Sequence, residues 1–153
     1  MKKSLVALAF LSASVFASSE PQVSQTIPQN APVLRFGVVD TSNKIAQEVG
    51  LTYSIANKHH ELCWTAFNLP FQMQNKVVEV FISPKAAQFT SAGATVAYSK
   101  DKKTHTITTM MPNRQETVGK CWRFDKNDPL GKYKVDIRVD DIIFPTQTFE
   151  LVK

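Results

Sequence analysis

Residues 133–139 alternate between large apolar and polar side chains, and this period of two is the strongest constraint on the fold. The apolar positions are Tyr133, Val135, Ile137 and Val139, and the polar ones between them are Lys134, Asp136 and Arg138. Neighbouring side chains of a β-strand point to opposite faces, so the pattern predicts a strand with one buried and one hydrated face. The buried face requires a second layer, which makes a layered β-fold the first expectation.

Short apolar segments recur along the rest of the chain with turn-forming residues between them, which is typical of many short strands. They are residues 33–39, 51–56, 62–67, 76–82, 94–98, 105–111, 120–124 and 144–152. Pro145 predicts that the last of them is an edge or bulged strand, because proline cannot donate to a strand ladder. We therefore expect an all-β protein, an antiparallel β-sandwich of about seven to nine strands, with a closed barrel as the alternative.

Two connecting segments carry local signals. Residues 42–49 are either two turns of helix, ended by Gly50, or a loop, so at most one short helix is expected. Residues 128–131 read Asp-Pro-Leu-Gly, which predicts a type I turn in front of the alternating strand. Asp140 and Asp141 predict the turn that follows that strand.

The first 17 residues have the three parts of a cleavable secretory signal peptide. Lys2 and Lys3 give a positive start, residues 5–11 form a short apolar core, and residues 15–17 form the cleavage site. The apolar run is far shorter than the roughly 20 residues needed to span a bilayer, so no membrane anchor is expected. The pattern predicts a periplasmic or secreted protein.

The remaining chain divides into two parts by composition. Residues 18–32 are rich in Ser, Gln and Pro and predict a flexible leader, and residues 33–153 form the predicted β-sandwich domain. Loss of residues 1–17 would lower the formal net charge from +5 to +3. This mild excess lacks a Lys/Arg stripe interleaved with aromatic residues, so nucleic acid is not an expected partner.

Cys63 and Cys121 are the two cysteines of the chain. In an oxidising compartment such a pair predicts a disulfide, here closing a loop of nearly 60 residues. A metal pair or a catalytic thiol is the alternative, but there is no CxxC spacing to support it.

Each cysteine is followed by a tryptophan, Trp64 and Trp122, and the repeat allows two interpretations. If the cysteines point inward and join two sheets, the indoles point outward or shield an edge or a loop. The second interpretation is that Trp64 and Trp122 are exposed and form a binding platform, since tryptophan is enriched at binding hot spots.

Patterns for catalysis, metals and cofactors are weak. There is no GxSxG, HExxH or glycine-rich phosphate loop, so no catalytic residue, metal or cofactor is expected. His59 and His60 diverge if they lie on a strand, and nothing in the sequence places His105 near them. An acid pair within the carboxylates of residues 125–141 remains conceivable, although turn formation explains most of them.

The last third of the chain resembles the final two strands of exported immunoglobulin-like domains of Gram-negative bacteria. The resemblance rests on Cys121-Trp122-Arg123-Phe124, on residues 128–133 (Asp-Pro-Leu-Gly-Lys-Tyr) and on the terminal Phe149. It departs from antibody-type domains, since Trp64 adjoins Cys63 directly. The resemblance implies an immunoglobulin-like sandwich and an exported location, and it supplies no catalytic residues.

These observations lead to a functional expectation with two alternatives. We expect a non-catalytic binding or adaptor protein of the cell envelope, whose partner is another envelope or secreted protein. The first alternative is a periplasmic inhibitor or immunity protein that blocks a toxin or hydrolase. The second is an envelope hydrolase that uses an unrecognised acid pair.

Overall fold

The computed structural model describes residues 30–153, and all regular elements in this part of the chain are β-strands. The predicted signal peptide and residues 18–29 of the predicted leader lie outside the described residues. The strands are β1 (Val33–Asp40), β2 (Gln47–Gly50), β3 (Thr52–Ser54), β4 (His60–Phe67), β5 (Gln74–Ile82), β6 (Thr95–Tyr98), β7 (Thr104–Pro112), β8 (Val118–Trp122), β9 (Gly131–Val139), β10 (Ile142–Ile143) and β11 (Gln147–Val152).

The strands form two sheets that pack face to face. The short sheet has four strands in the order β2-β1-β4-β8, and the long sheet has the order β3-β11-β9-β5-β7-β6, with β10 added to β9. The pairs are antiparallel except that of β11 with β3, which is parallel. Two separate open sheets confirm the β-sandwich and exclude the barrel.

The core lies between the sheets and follows the period of two. Tyr133, Val135, Ile137 and Val139 of β9 are all buried, as the alternation predicted. Every second residue of β4 and of β5 enters the same core. Removing such apolar faces from water stabilises the fold by about 25 cal/mol for each Å² buried, so this alternation is the main source of stability.

The structure divides the chain into more strands than the sequence predicted, eleven within residues 30–153 against seven to nine. Much of the difference lies at Gly50, whose φ of 102° ends β2 before the chain starts β3. β2 pairs with β1 of the short sheet, whereas β3 pairs with β11 of the long sheet. The predicted strand 51–56 is thus present in shortened form as β3, and the chain crosses from one sheet to the other at Gly50.

The segment 42–49 forms no helix. Residues 42–45 are bends, and the chain from Gln47 pairs with β1 in an antiparallel hairpin. The loop alternative is thus closer to the structure, and pairing with the neighbouring strand outweighs the weak helical pattern.

Two further local predictions were wrong. The turn before β9 lies at residues 125–128, where the Asp128 amide donates to the Asp125 carbonyl, and not at 128–131. The Asp128 carboxylate accepts a hydrogen bond from the Asp125 amide at 2.8 Å, which closes the turn three residues early. The last strand is not an edge, because β11 lies between β9 and β3. It starts only at Gln147, beyond Pro145.

Candidate functional site

The two cysteines form the predicted disulfide, but not between the two sheets. Cys63 on β4 lies directly opposite Cys121 on β8, so the bond joins neighbouring strands of the short sheet. Both side chains point to the outer face of that sheet, which corrects the expectation that they point inward. The Glu61 carboxylate lies within 4.8 Å of both sulfur atoms. Sulfur atoms that are bonded to each other are not thiolates, so this group is not a metal site in the oxidised protein.

The outward cysteines place both tryptophans in the core. Trp64 is 1% exposed and Trp122 is 7% exposed, so the expectation of an exposed tryptophan platform was wrong. The physical reason is the same alternation that was used to predict it. Since neighbours on a strand face opposite sides, cysteines on the outer face require indoles on the inner face.

Both indoles donate to one carboxylate that the sequence analysis missed. Glu79 on β5 is fully buried, and its Oε1 accepts hydrogen bonds from Trp64 Nε1 and Trp122 Nε1, each at 2.7 Å. Its Oε2 accepts from Lys120 Nζ at 2.7 Å. The Lys120 ammonium also lies 3.9 Å from the centroid of the Trp122 ring.

This Glu79 cluster links the long sheet to the short sheet. Glu79 belongs to β5, whereas its three donors come from β4 and β8. A buried carboxylate is tolerated when it is paired and fully hydrogen-bonded, and this one has three donors. The signal that could have revealed it is an acidic residue at an inward position of β5, between Val77 and Phe81.

A groove of about 730 Å³ lies beside this cluster. It is formed by the connection between β5 and β6, by β6, by the turn between β6 and β7, and by the residues that follow β8. Its lining consists of Ala86, Ala87, Gln88, Phe89, Thr90, Val96, Tyr98, Lys102, His105, Trp122, Arg123, Phe124, Asp125, Asn127 and Asp128.

Packed aromatic residues form the floor of the groove. The Phe89 ring centroid lies 4.9 Å from that of His105, 5.7 Å from that of Trp122 and 6.2 Å from that of Phe124. Phe89 comes from the long β5–β6 connection, so the floor holds that connection against the core. No sequence pattern indicated that Phe89 and Phe124 would meet here, because their packing depends on contacts distant in sequence.

His105 holds the same connection by a hydrogen bond. Its Nε2 lies 3.1 Å from the carbonyl oxygen of Ala87, and because a carbonyl only accepts, Nε2 is the donor of this bond. His105 Nδ1 is buried and has no hydrogen-bond partner among the described residues. Buried polar atoms are rarely left without a partner, which makes this nitrogen an exception at the floor of the groove.

The rim of the groove is polar and carries basic and acidic side chains. Tyr98 is 63% exposed, and the Lys102 ammonium lies 5.9 Å from the centroid of its ring. Arg123 pairs with Glu61 on the adjacent strand. Partial burial of Asp128 raises the pKa of that carboxyl above its ordinary value of 3.8.

The other predicted site residues lie elsewhere. His60 Nδ1 accepts from the Ser54 amide at 3.1 Å, and His59 is exposed. Among the carboxylates of residues 125–141, Asp140 accepts from the Lys76 amide at 2.8 Å and Asp136 accepts from Thr146 at 2.6 Å. These contacts tie the two carboxylates to local backbone and side chains away from the groove lining.

Comparison with known proteins places the chain in a family. Residues 34–152 match the family model described as PM0630 beta sandwich domain. A protein of Pasteurella multocida (strain Pm70), named Uncharacterized protein PM0630, is 29% identical over 144 residues, covering 92% of this chain and 86% of its own length.

Structural comparison matches the chain to two solved structures at low similarity. An immunoglobulin-like protein from Pseudomonas aeruginosa has a TM-score of 0.46 and 10% identity, covering 78% of this chain and 91% of its own. The alkylpurine DNA glycosylase AlkC of Pseudomonas fluorescens, bound to DNA containing an abasic site analog, has a TM-score of 0.35 and 11% identity, covering 80% of this chain and 30% of its own.

Within residues 30–153 no helix is long and apolar enough to cross a membrane. The match over residues 34–152 shows that the chain belongs to the PM0630 beta sandwich domain family.

Proposed function

We propose that this protein is exported to the periplasm or beyond and acts there, without catalysis, by binding another envelope or secreted protein in the groove beside β6. The observation that carries the proposal is the exposure of the Tyr98 side chain. The residue lies on the inward side of β6, yet 63% of it is exposed because no strand of the short sheet covers it. An exposed aromatic ring above a packed aromatic floor is typical of a binding hot spot.

The carboxylates of the groove favour binding over acid–base chemistry. Asp125 Oδ1 accepts from the Asn127 amide at 2.7 Å, and Asp128 Oδ2 accepts from the Asp125 amide. Both carboxylates thus hold the turn that forms one wall of the groove. Fixed walls reduce the ordering cost of binding, which raises affinity.

The disulfide supports the exported location. Cys63 and Cys121 are bonded in the structure, and such bonds persist in oxidising compartments such as the periplasm. The signal-peptide pattern of residues 1–17 points to the same compartment.

Site-specific photocrosslinking tests the proposal. A benzophenone amino acid at position 98 keeps an aromatic ring in the groove, and we expect it to capture one defined envelope or secreted protein in living cells. The matched control is position 71, since Phe71 is 77% exposed and precedes the start of β5, whereas the groove lies beyond the end of that strand. The same adduct from both positions, or none from position 98, would contradict the groove as the binding site.

The identity of the captured protein has a second use. A toxin or hydrolase that loses activity when bound would favour the inhibitor alternative. A structural or assembly component of the envelope would favour the adaptor role.

A further inference from the structure

β6 is an edge strand whose inward side chains line the groove. It pairs with β7 and ends the long sheet. Val96 lies opposite Ile107, and Tyr98 lies opposite His105. Ile107 and His105 are both buried on the inner face, so Val96 and Tyr98 point to that face as well and enter the groove.

The backbone groups of Val96 and Tyr98 point away from β7. The Ser99 amide donates to the Thr104 carbonyl at 2.9 Å, so the backbone of Ser99 faces that of Thr104 at a hydrogen-bonded position of the ladder. Hydrogen-bonded and non-hydrogen-bonded pairs alternate in an antiparallel ladder. Tyr98 and Val96 therefore belong to non-hydrogen-bonded pairs, and their N–H and C=O groups face the free edge.

The free edge and the groove thus belong to the same two residues. Val96 and Tyr98 offer side chains to the groove and unpaired amides and carbonyls beside it, two residues apart. An extended peptide matches this arrangement, because every second residue of a strand can bond such an edge while its side chains alternate between the two faces. A small ligand could use the groove but not the repeated backbone groups.

We propose that the partner contributes an extended segment that pairs with β6 as an added strand and places apolar side chains against Tyr98 in the groove. This inference rests on the proposed function and specifies how the partner binds. The added strand would extend the long sheet beyond β6, and its inward side chains would lie beside Val96 and Tyr98 at the groove.

The charge beside β6 indicates the sequence of that segment. The turn that follows β6 carries Lys100, Lys102 and Lys103, all exposed. Its one acid, Asp101, is held by the Ser99 hydroxyl at 2.6 Å and by the Lys103 amide at 3.1 Å. The free cations of the turn favour a segment with an acidic residue next to its apolar positions.

A proline substitution at the edge tests the inference. Short random peptides displayed on phage are first selected for binding to the oxidised protein. The selected peptides are then synthesised, and their affinities for the Val96→Pro variant and for the control variant Val96→Ala are measured. Proline removes the outward N–H without breaking a bond to β7, whereas alanine keeps the N–H and shortens the side chain. We expect the selected peptides to be acidic and apolar, and to lose at least tenfold more affinity with Val96→Pro than with Val96→Ala.

Amide exchange of the unsubstituted protein gives a second measurement that does not depend on the variant folding. With bound peptide, the Val96 and Tyr98 amide protons should become protected, whereas that of Ala97, which bonds β7, should be protected in both states. Equal peptide affinity for the two variants, with unchanged exchange at 96 and 98, would overturn the added strand.

The remaining outcomes separate this inference from the proposed function. Peptides that bind without protecting β6, but lose affinity with Tyr98→Ala, would overturn the added strand and support the groove. Peptides insensitive to both positions would count against both proposals. Concentration-dependent dimerisation abolished by Val96→Pro would show that the edge binds a second copy of this chain, which overturns the partner segment.

Discussion

Glu79 shows how one side chain can tie two layers together. The carboxylate is fully buried on β5 and accepts hydrogen bonds from two indoles and one ammonium, all from the short sheet. The cost of burying the charge is offset by the opposite charge of Lys120 and by three hydrogen bonds. The same contacts explain why Trp64 and Trp122 are buried, because the core gives each indole N–H an acceptor.

The Glu79 cluster predicts a large and non-additive loss of stability. Glu79→Gln should lower the free energy of unfolding by about 3–5 kcal/mol, because it leaves the Lys120 ammonium without its counter-charge. Glu79→Gln combined with Lys120→Met should cost less than the sum of the single changes, since the two groups interact directly. Urea unfolding of the three variants measures both effects.

A matched control is available on the surface. Glu48 pairs with Arg35 at 3.3 Å, and their side chains are 49% and 68% exposed. Glu48→Gln should therefore cost below about 1 kcal/mol, as for other exposed ion pairs. A loss for Glu79→Gln no greater than that for Glu48→Gln, or strictly additive losses at 79 and 120, would show that the cluster is not coupled.

Among the elements, the position of β8 decides most about the site. It is one of the two outer strands of the short sheet and has β4 as its neighbour. It supplies two donors to Glu79 and one floor residue of the groove, and the disulfide fixes it to β4. The bond therefore holds in place the strand that carries the inner surface of the site.

Loss of the disulfide should weaken this element and the fold together. The cysteines are 58 residues apart, and closing a loop of this length stabilises a domain by about 4 kcal/mol when the effect is counted as chain entropy. Cys63→Ser should lower the free energy of unfolding by an amount in that range, and reduced unsubstituted protein should show the same loss. Denaturant unfolding with and without reductant compares the two. An unchanged midpoint after reduction would mean that the bond contributes nothing to stability.

For the whole molecule, the arrangement of two unequal sheets creates the groove. Four strands cover a long sheet whose main path contains six, so the β6 side remains open beyond β8. The β5–β6 connection fills part of this space with Phe89, and the rest is the groove. The binding site that we propose is thus a consequence of the different numbers of strands in the two sheets.

Export is the prediction that concerns the chain as a whole. Residues 1–17 match a cleavable signal peptide, so the mature protein should start at Ser18 and appear outside the cytoplasm. Intact-mass and N-terminal analysis of the fractionated protein measures both properties. The same sample also checks the disulfide, because the mass of the oxidised protein should be lower than that of the reduced protein by two hydrogen atoms. A retained Met1 in the cytoplasmic fraction would contradict the prediction.

The sequence by itself determined the class of fold. The alternation in residues 133–139 defined β9 and its buried face, because a period of two has one structural explanation at that length. The pairing of Cys63 with Cys121 followed from there being two cysteines in a chain that is predicted to be exported. The short segments that became β4, β5 and β7 were found within one or two residues of their observed ends.

The tertiary structure alone decided which face of β4 and of β8 is buried and what lies across the core. Alternation shows that Cys63 and Trp64 face opposite sides, but not which side is inner, and the large indoles took the inner one. The partners of Glu79 lie 15 to 43 residues away in the sequence, and those of Phe89 come from β5, from β7 and from residues 122–124, so no local pattern indicates them. The free edge of β6 depends on strand order, which follows from how all strands pack together and not from the residues of β6.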